Sequence, residues 1–151
     1  MGVTEPSHMF CADCEAVATK HRMEPCKLAR TQIPLVAVMD YHSKAKEILH
    51  RLKFRAEKGY RISIGYAMAD ALSAARLLDN PSDWLFCAVP MTAAKVKERG
   101  YNQSELLAAS ASRWLDAGYA PGLLSKLRET GVQHDLRAAD RSAKLSLPLP
   151  A

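Results

Sequence analysis

An α/β fold, with a short parallel sheet flanked by helices behind a small N-terminal module, is predicted by three observations. The first is the apolar run Trp84-Leu85-Phe86-Cys87-Ala88-Val89, long enough for a strand and too short for a buried helix. Pro90 closes it, because proline cannot donate to a sheet ladder and biases its predecessor towards extended geometry. The second is the sequel: a polar, basic loop over Lys95-Val96-Lys97-Glu98-Arg99-Gly100, then a helix that starts at Asn102 or Ser104. The third is a pair of upstream segments whose apolar residues recur at helical spacing. Strand, basic glycine-containing loop and helix start are what α/β proteins use to hold phosphate. The free amides and dipole of the helix favour an anion there. An ordinary β–α connection with a solvated loop has the same pattern.

Taken in order, residues 1–32 read as a separate N-terminal segment resembling a zinc knuckle, and residues 33–151 as the main domain. Cys11-Ala12-Asp13-Cys14 has the spacing that aims two thiolates at one metal, and Cys26 offers a third ligand. A tetrahedral structural zinc site would be completed by His21, or failing that by His8. The alternative is a set of buried or idle thiols. Ile33 to Tyr41 is a β-rich apolar run, with Pro34 near its start where proline is tolerated.

Ser43 caps a helix running from Lys44 to Phe54, with Ile48, Leu49 and Leu52 on one face. The opposite face carries Lys44, Lys46, Arg51 and Lys53. It reads as a solvated surface, or as a basic surface able to meet phosphate or nucleic acid. Gly59-Tyr60 breaks the pattern, and a longer helix follows from Ile62 to Leu78, with Ala67, Ala71 and Ala75 allowing close packing. Asp79-Asn80-Pro81-Ser82 is a turn leading into the central strand. The helix after the basic loop spans Ser104 to Ala117 and ends at Gly118, with Pro121 beyond. Leu123 to Leu127 is a second candidate strand, and Arg128 to His134 is polar and turn-like. The tail from Leu145 reads as an edge strand or a frayed end.

Composition narrows the class. With 151 residues, one domain with a real hydrophobic core is expected. No apolar run approaches a membrane span, and Met1 to Phe10 lacks the apolar stretch of a signal peptide, so a cytoplasmic location is expected. Four cysteines do not make a disulfide framework, and in a reducing compartment they would be thiols or metal ligands. A formal net charge of +5 permits phosphate-bearing partners without demanding them.

Three stretches together resemble the ComF family, competence proteins related to the type I phosphoribosyltransferases. Val89-Pro90 followed by Lys97-Glu98-Arg99-Gly100-Tyr101-Asn102-Gln103 is similar to the family signature. Ala45 to Arg55 (AKEILHRLKFR) and Leu127-Arg128-Glu129-Thr130 with Gln133 and Arg141 match in the right order. The resemblance implies a phosphoribosyltransferase-like sheet and a ligand of the phosphoribosyl pyrophosphate type, taken with magnesium in an active enzyme. Lys95, Lys97, Arg99, Gly100, Tyr101, Asn102 and Gln103 would form the phosphate-binding loop, and Arg128, Gln133 and Arg141 a mobile basic flap. No catalytic residue is assigned.

One departure outweighs the matches. The family's paired acids and Thr-Thr-Gly turn, which bind ribose 5-phosphate, are absent before Ala151. The expectation is the N-terminal part of a family member with impaired transferase chemistry. An accessory role in competence and DNA uptake, with DNA or the competence machinery as partner, is the alternative. A sheet cut short would leave an edge for another protein or a second copy to pair, making a homo-oligomer.

Overall fold

A computed structural model of the chain describes residues 26–27, 33–39, 41, 43–77 and 79–126. Cys11, Cys14, His21, Arg128, Gln133 and Arg141 lie outside them, as does the side chain of Cys26. Strand β1 (Cys26–Lys27) pairs antiparallel with β2 (Pro34–Leu35), straddling the expected boundary after residue 32. The β-rich run from Ile33 thus forms a strand only at its start.

Helix α1 (Ser43–Phe54) buries Ala45 and Leu52, seven residues apart and so on one face. Its outer face is partly neutralised, since Arg51 pairs with Glu47 at 2.7 Å and Glu57 at 3.6 Å. Ala56, at φ 55, turns the chain. Helix α2 (Tyr60–Ala74) then begins at Tyr60, for Gly59 already has helical dihedrals. The break falls before Gly59, not at Gly59-Tyr60. α2 buries Ser63, Ile64, Gly65, Ala69 and Ala71, whereas Ile62 is exposed. It stops at Ala74, short of the expected Leu78, because Arg76 takes the left-handed conformation that commonly ends a helix.

A short 3-10 turn (Pro81–Asp83) leads into β3 (Leu85–Phe86), the ladder-forming part of the central apolar run. The basic stretch that follows is not a loop. Ala93–Arg99 forms helix α3, capped by Thr92, whose Oγ1 accepts the Lys95 amide at 3.5 Å. Ala, Lys, Glu and Arg are strong helix formers, and Gly100, at φ 81, supplies the left-handed C-terminal residue. Helix α4 (Gln103–Trp114) ends before the expected Ala117, because Asp116 turns left-handed at φ 52.

Strand β4 (Gly118–Tyr119) runs parallel to β3, with Leu85 opposite Gly118 and Phe86 opposite Tyr119. The second strand therefore lies where a helix cap was expected, and Leu123 to Lys126 forms none. The pairing makes one β–helix–helix–β unit, confirming a small parallel sheet with flanking helices.

The core is built mainly between α2 and α4 and is rich in alanine: Ala69, Ala71, Ala108 and Ala111 are all buried. Ala71 is buried as expected, and Gly65 is a further point of close approach between the two helices. A Cβ placed on Gly65 would lie 2.3 Å from Ser110 Oγ and 3.1 Å from the Ala111 nitrogen. Leu85 and Val89 on the central strand run are exposed at 53% and 73%, and among the described elements it is α4 that packs on the sheet.

Candidate functional site

The strands of a parallel pair point the same way, so their carboxyl ends open one crevice, the usual ligand position in such sheets. Here that crevice is a cleft of about 410 Å³. Ala88, Pro90 and Met91 after β3 form one wall, and Pro121, Leu124, Ser125 and Lys126 after β4 form another. Thr92 and Ala93 at the start of α3 and Glu105 in the first turn of α4 complete it. Two helix starts and two strand ends thus converge on one opening.

Asn102 holds this junction together. It is 2% exposed, and its Oδ1 accepts the Ser104 amide at 3.0 Å, capping α4. Its Nδ2 donates to the Val89 carbonyl at 3.1 Å and to Glu105 Oε1 at 3.3 Å. One side chain therefore fixes the helix start, the end of the strand run and the orientation of the cleft carboxylate. Behind Glu105 the Tyr119 hydroxyl donates to the Glu105 carbonyl at 3.4 Å. Burial, then the Glu105 charge, pushes the Tyr119 phenol above its usual range.

The expected phosphate-binding residues are spread around this junction. Lys95 and Lys97 lie on α3, Lys97 exposed and Lys95 half-buried. Arg99 Nη1 donates to Gln103 Oε1 at 2.6 Å, and its guanidinium sits 5.1 Å from the Phe54 ring centroid. Gly100 ends α3, and Tyr101 is buried with its hydroxyl donating to the Leu52 carbonyl. The structure brings Arg99 and Gln103 together and gives Tyr101 and Asn102 structural partners. None of the seven lines the cleft itself.

Thr92, Glu105 and Lys126, which do line it, were not read from the sequence. The Asn102 cap was the available signal for Glu105, because a first-turn acid three residues after a cap sits at the helix mouth. Lys126 is brought in only by the β3–β4 pairing. Glu105 is the single carboxylate at the cleft, and no group of three His, Cys, Asp or Glu side chains converges among the described residues. One carboxylate is too few for an all-protein magnesium cage, whereas magnesium carried on a phosphorylated ligand ordinarily needs only one or two.

No family model matches the chain, and no solved structure matches it significantly. Among characterised proteins it is 30% identical to the DNA utilization protein YhgH of Escherichia coli K12 over 148 residues, 94% of this chain and 64% of that one. The corresponding protein of Salmonella typhi is 27% identical over 141 residues, 90% of this chain and 62% of the relative. Competence protein F of Haemophilus influenzae is 37% identical over 57 residues, 38% of this chain and 25% of the relative. The chain spans under two thirds of the length of the YhgH proteins it matches. These relatives bear out the resemblance carried by the motifs.

Proposed function

We infer that this chain, a relative of the DNA utilization protein YhgH and of Competence protein F, uses its strand-end cleft to bind a phosphorylated sugar of the phosphoribosyl pyrophosphate class. The observation that carries the reading is the convergence of Thr92, Glu105 and Lys126 at the carboxyl ends of β3 and β4. A carboxylate accepts sugar hydroxyls, while a lysine and the amides at a helix start attract phosphate. A sugar phosphate carries both kinds of group. Lys95, in the first turn of α3, supplies further positive charge, and Arg99 with Gln103 stiffens the connection to α4. Transferase turnover is not part of this reading.

The test is calorimetric or thermal-shift titration of the chain with phosphoribosyl pyrophosphate and magnesium. Ligand at a hundred times Kd should stabilise by about 2.7 kcal/mol. Lys126→Ala and Glu105→Gln should lose the response, while Lys46→Ala, on α1, keeps it. No response in a chain shown to be folded would sink the assignment.

The names of the relatives favour a second reading, an accessory protein that associates with nucleic acid. A steep loss of DNA binding with rising salt would support it, and absence of DNA binding at low salt would exclude it.

A further inference from the structure

A second, larger groove, about 720 Å³, lies between α4 and the start of α2, and Glu105 does not line it. Its cations are Lys58, Arg61 and Arg113, and among the described residues no acidic side chain lines it. No carboxylate forms an ion pair with these three among the described residues. Two are held in place: Arg61 Nη1 donates to the Lys58 carbonyl at 3.0 Å, and Lys58 Nζ lies 4.8 Å from the Tyr101 ring centroid. Between them the lining is mainly apolar, from Ile62, Leu106, Ala109 and Trp114, with the Ser110 hydroxyl among them. Trp114 is fixed by a steep edge contact with Tyr66, centroids 5.2 Å apart and planes at 76°.

We propose that this groove binds single-stranded nucleic acid, with phosphates met by Lys58, Arg61 and Arg113 and a base lying against Trp114. The proposal rests on the nucleic-acid reading above and not on the strand-end cleft. Charge complementarity calls for an anion, and cations already held in position lose little freedom on binding it. The apolar strip ending in an indole calls for a flat, weakly polar group beside that anion. Unpaired bases supply one and acidic peptides do not. A duplex keeps its base faces stacked inside, so Trp114 would have nothing to meet.

The experiment is fluorescence anisotropy of a labelled oligothymidylate with the full chain, across a range of salt. Arg61→Gln/Arg113→Gln should weaken binding about tenfold and flatten the salt dependence by about 0.7 in slope per lost phosphate contact. The charge-matched pair Arg55→Gln/Arg76→Gln, both exposed and outside the groove, should change neither. In a Trp84→Phe background, saturation should quench the remaining Trp114 emission. Should the double variant prove unfolded by circular dichroism, Lys58→Gln in the connecting turn serves in its place.

Equal losses from both pairs would overturn the proposal, since attraction would then be diffuse. So would equal competition by polyglutamate or by duplex DNA, which would make the groove a general anion surface. Failure of the chain to bind oligothymidylate at low salt would overturn the groove and the nucleic-acid reading together. The response to phosphoribosyl pyrophosphate would be left standing.

Discussion

The Tyr101 hydroxyl donates to the backbone carbonyl of Leu52, joining residues 49 positions apart, both buried. The last four carbonyls of a helix lack intrahelical donors, and Leu52 sits in the final turn of α1. Tyr101 therefore caps α1 from the α3–α4 connection, so the family-like Gly-Tyr-Asn-Gln segment is in part a fastener between helices.

Tyr101→Phe keeps the ring, and with it the contact to Lys58, but leaves the Leu52 carbonyl without its donor. The expected loss is about 1–3 kcal/mol, the cost of an unsatisfied buried polar group. Denaturant melts compared at equal m-value will measure it. A change below about 0.3 kcal/mol would show that water replaces the phenol.

Gly65→Ala sets two effects against each other. Alanine is favoured over glycine inside a helix by about 1 kcal/mol. Against this, the new methyl would sit 2.4 Å from Ser110 Cβ and 3.1 Å from the Ala111 nitrogen, positions that move only with the helix backbone. Overpacking of this kind costs about 1–3 kcal/mol, so against the propensity gain a net destabilisation of up to about 2 kcal/mol is expected. Ser110→Gly in the same chain should recover part of it. Strict additivity in that double-mutant cycle would contradict the packing described.

Tyr119 makes stability depend on alkaline pH. Its folded pKa is raised above the ordinary 10.0 by burial and by Glu105. The folded state therefore holds the phenolic proton more tightly than the unfolded state does. The contribution is complete below about pH 10 and is lost as pH rises from there through the higher folded value. Tyr119→Phe should abolish this part of the slope, and Glu105→Gln should lessen it. Chemical denaturation repeated between pH 9 and 11.5 would test both, with an unchanged slope in Tyr119→Phe counting against the assignment.

Local chemistry explains what was legible in the sequence. Asn102 as a helix cap, Leu52 as a core residue and Leu85-Phe86 as a strand follow from neighbours within a few positions. Longer-range facts did not show. Lys97 and Arg99 read as a loop because their charges suggested phosphate, yet Thr92 and Gly100 bracket a helix. Gly118 read as a helix terminator, although the two-residue ladder opposite Leu85 makes it a strand. The tight spot at Gly65 depends on Ser110, 45 positions away, and no pattern within either helix reveals that neighbour.

The parallel ladder has a temporal consequence. The Gly118 amide donates to the Trp84 carbonyl at 3.0 Å, and the Ala120 amide to Phe86 at 2.9 Å. A pair of two-residue strands is too small to persist by itself and depends on the helix packed against it. The two amides should then have no opening of their own to deuterium. They should exchange together, at the rate at which α4 lifts away.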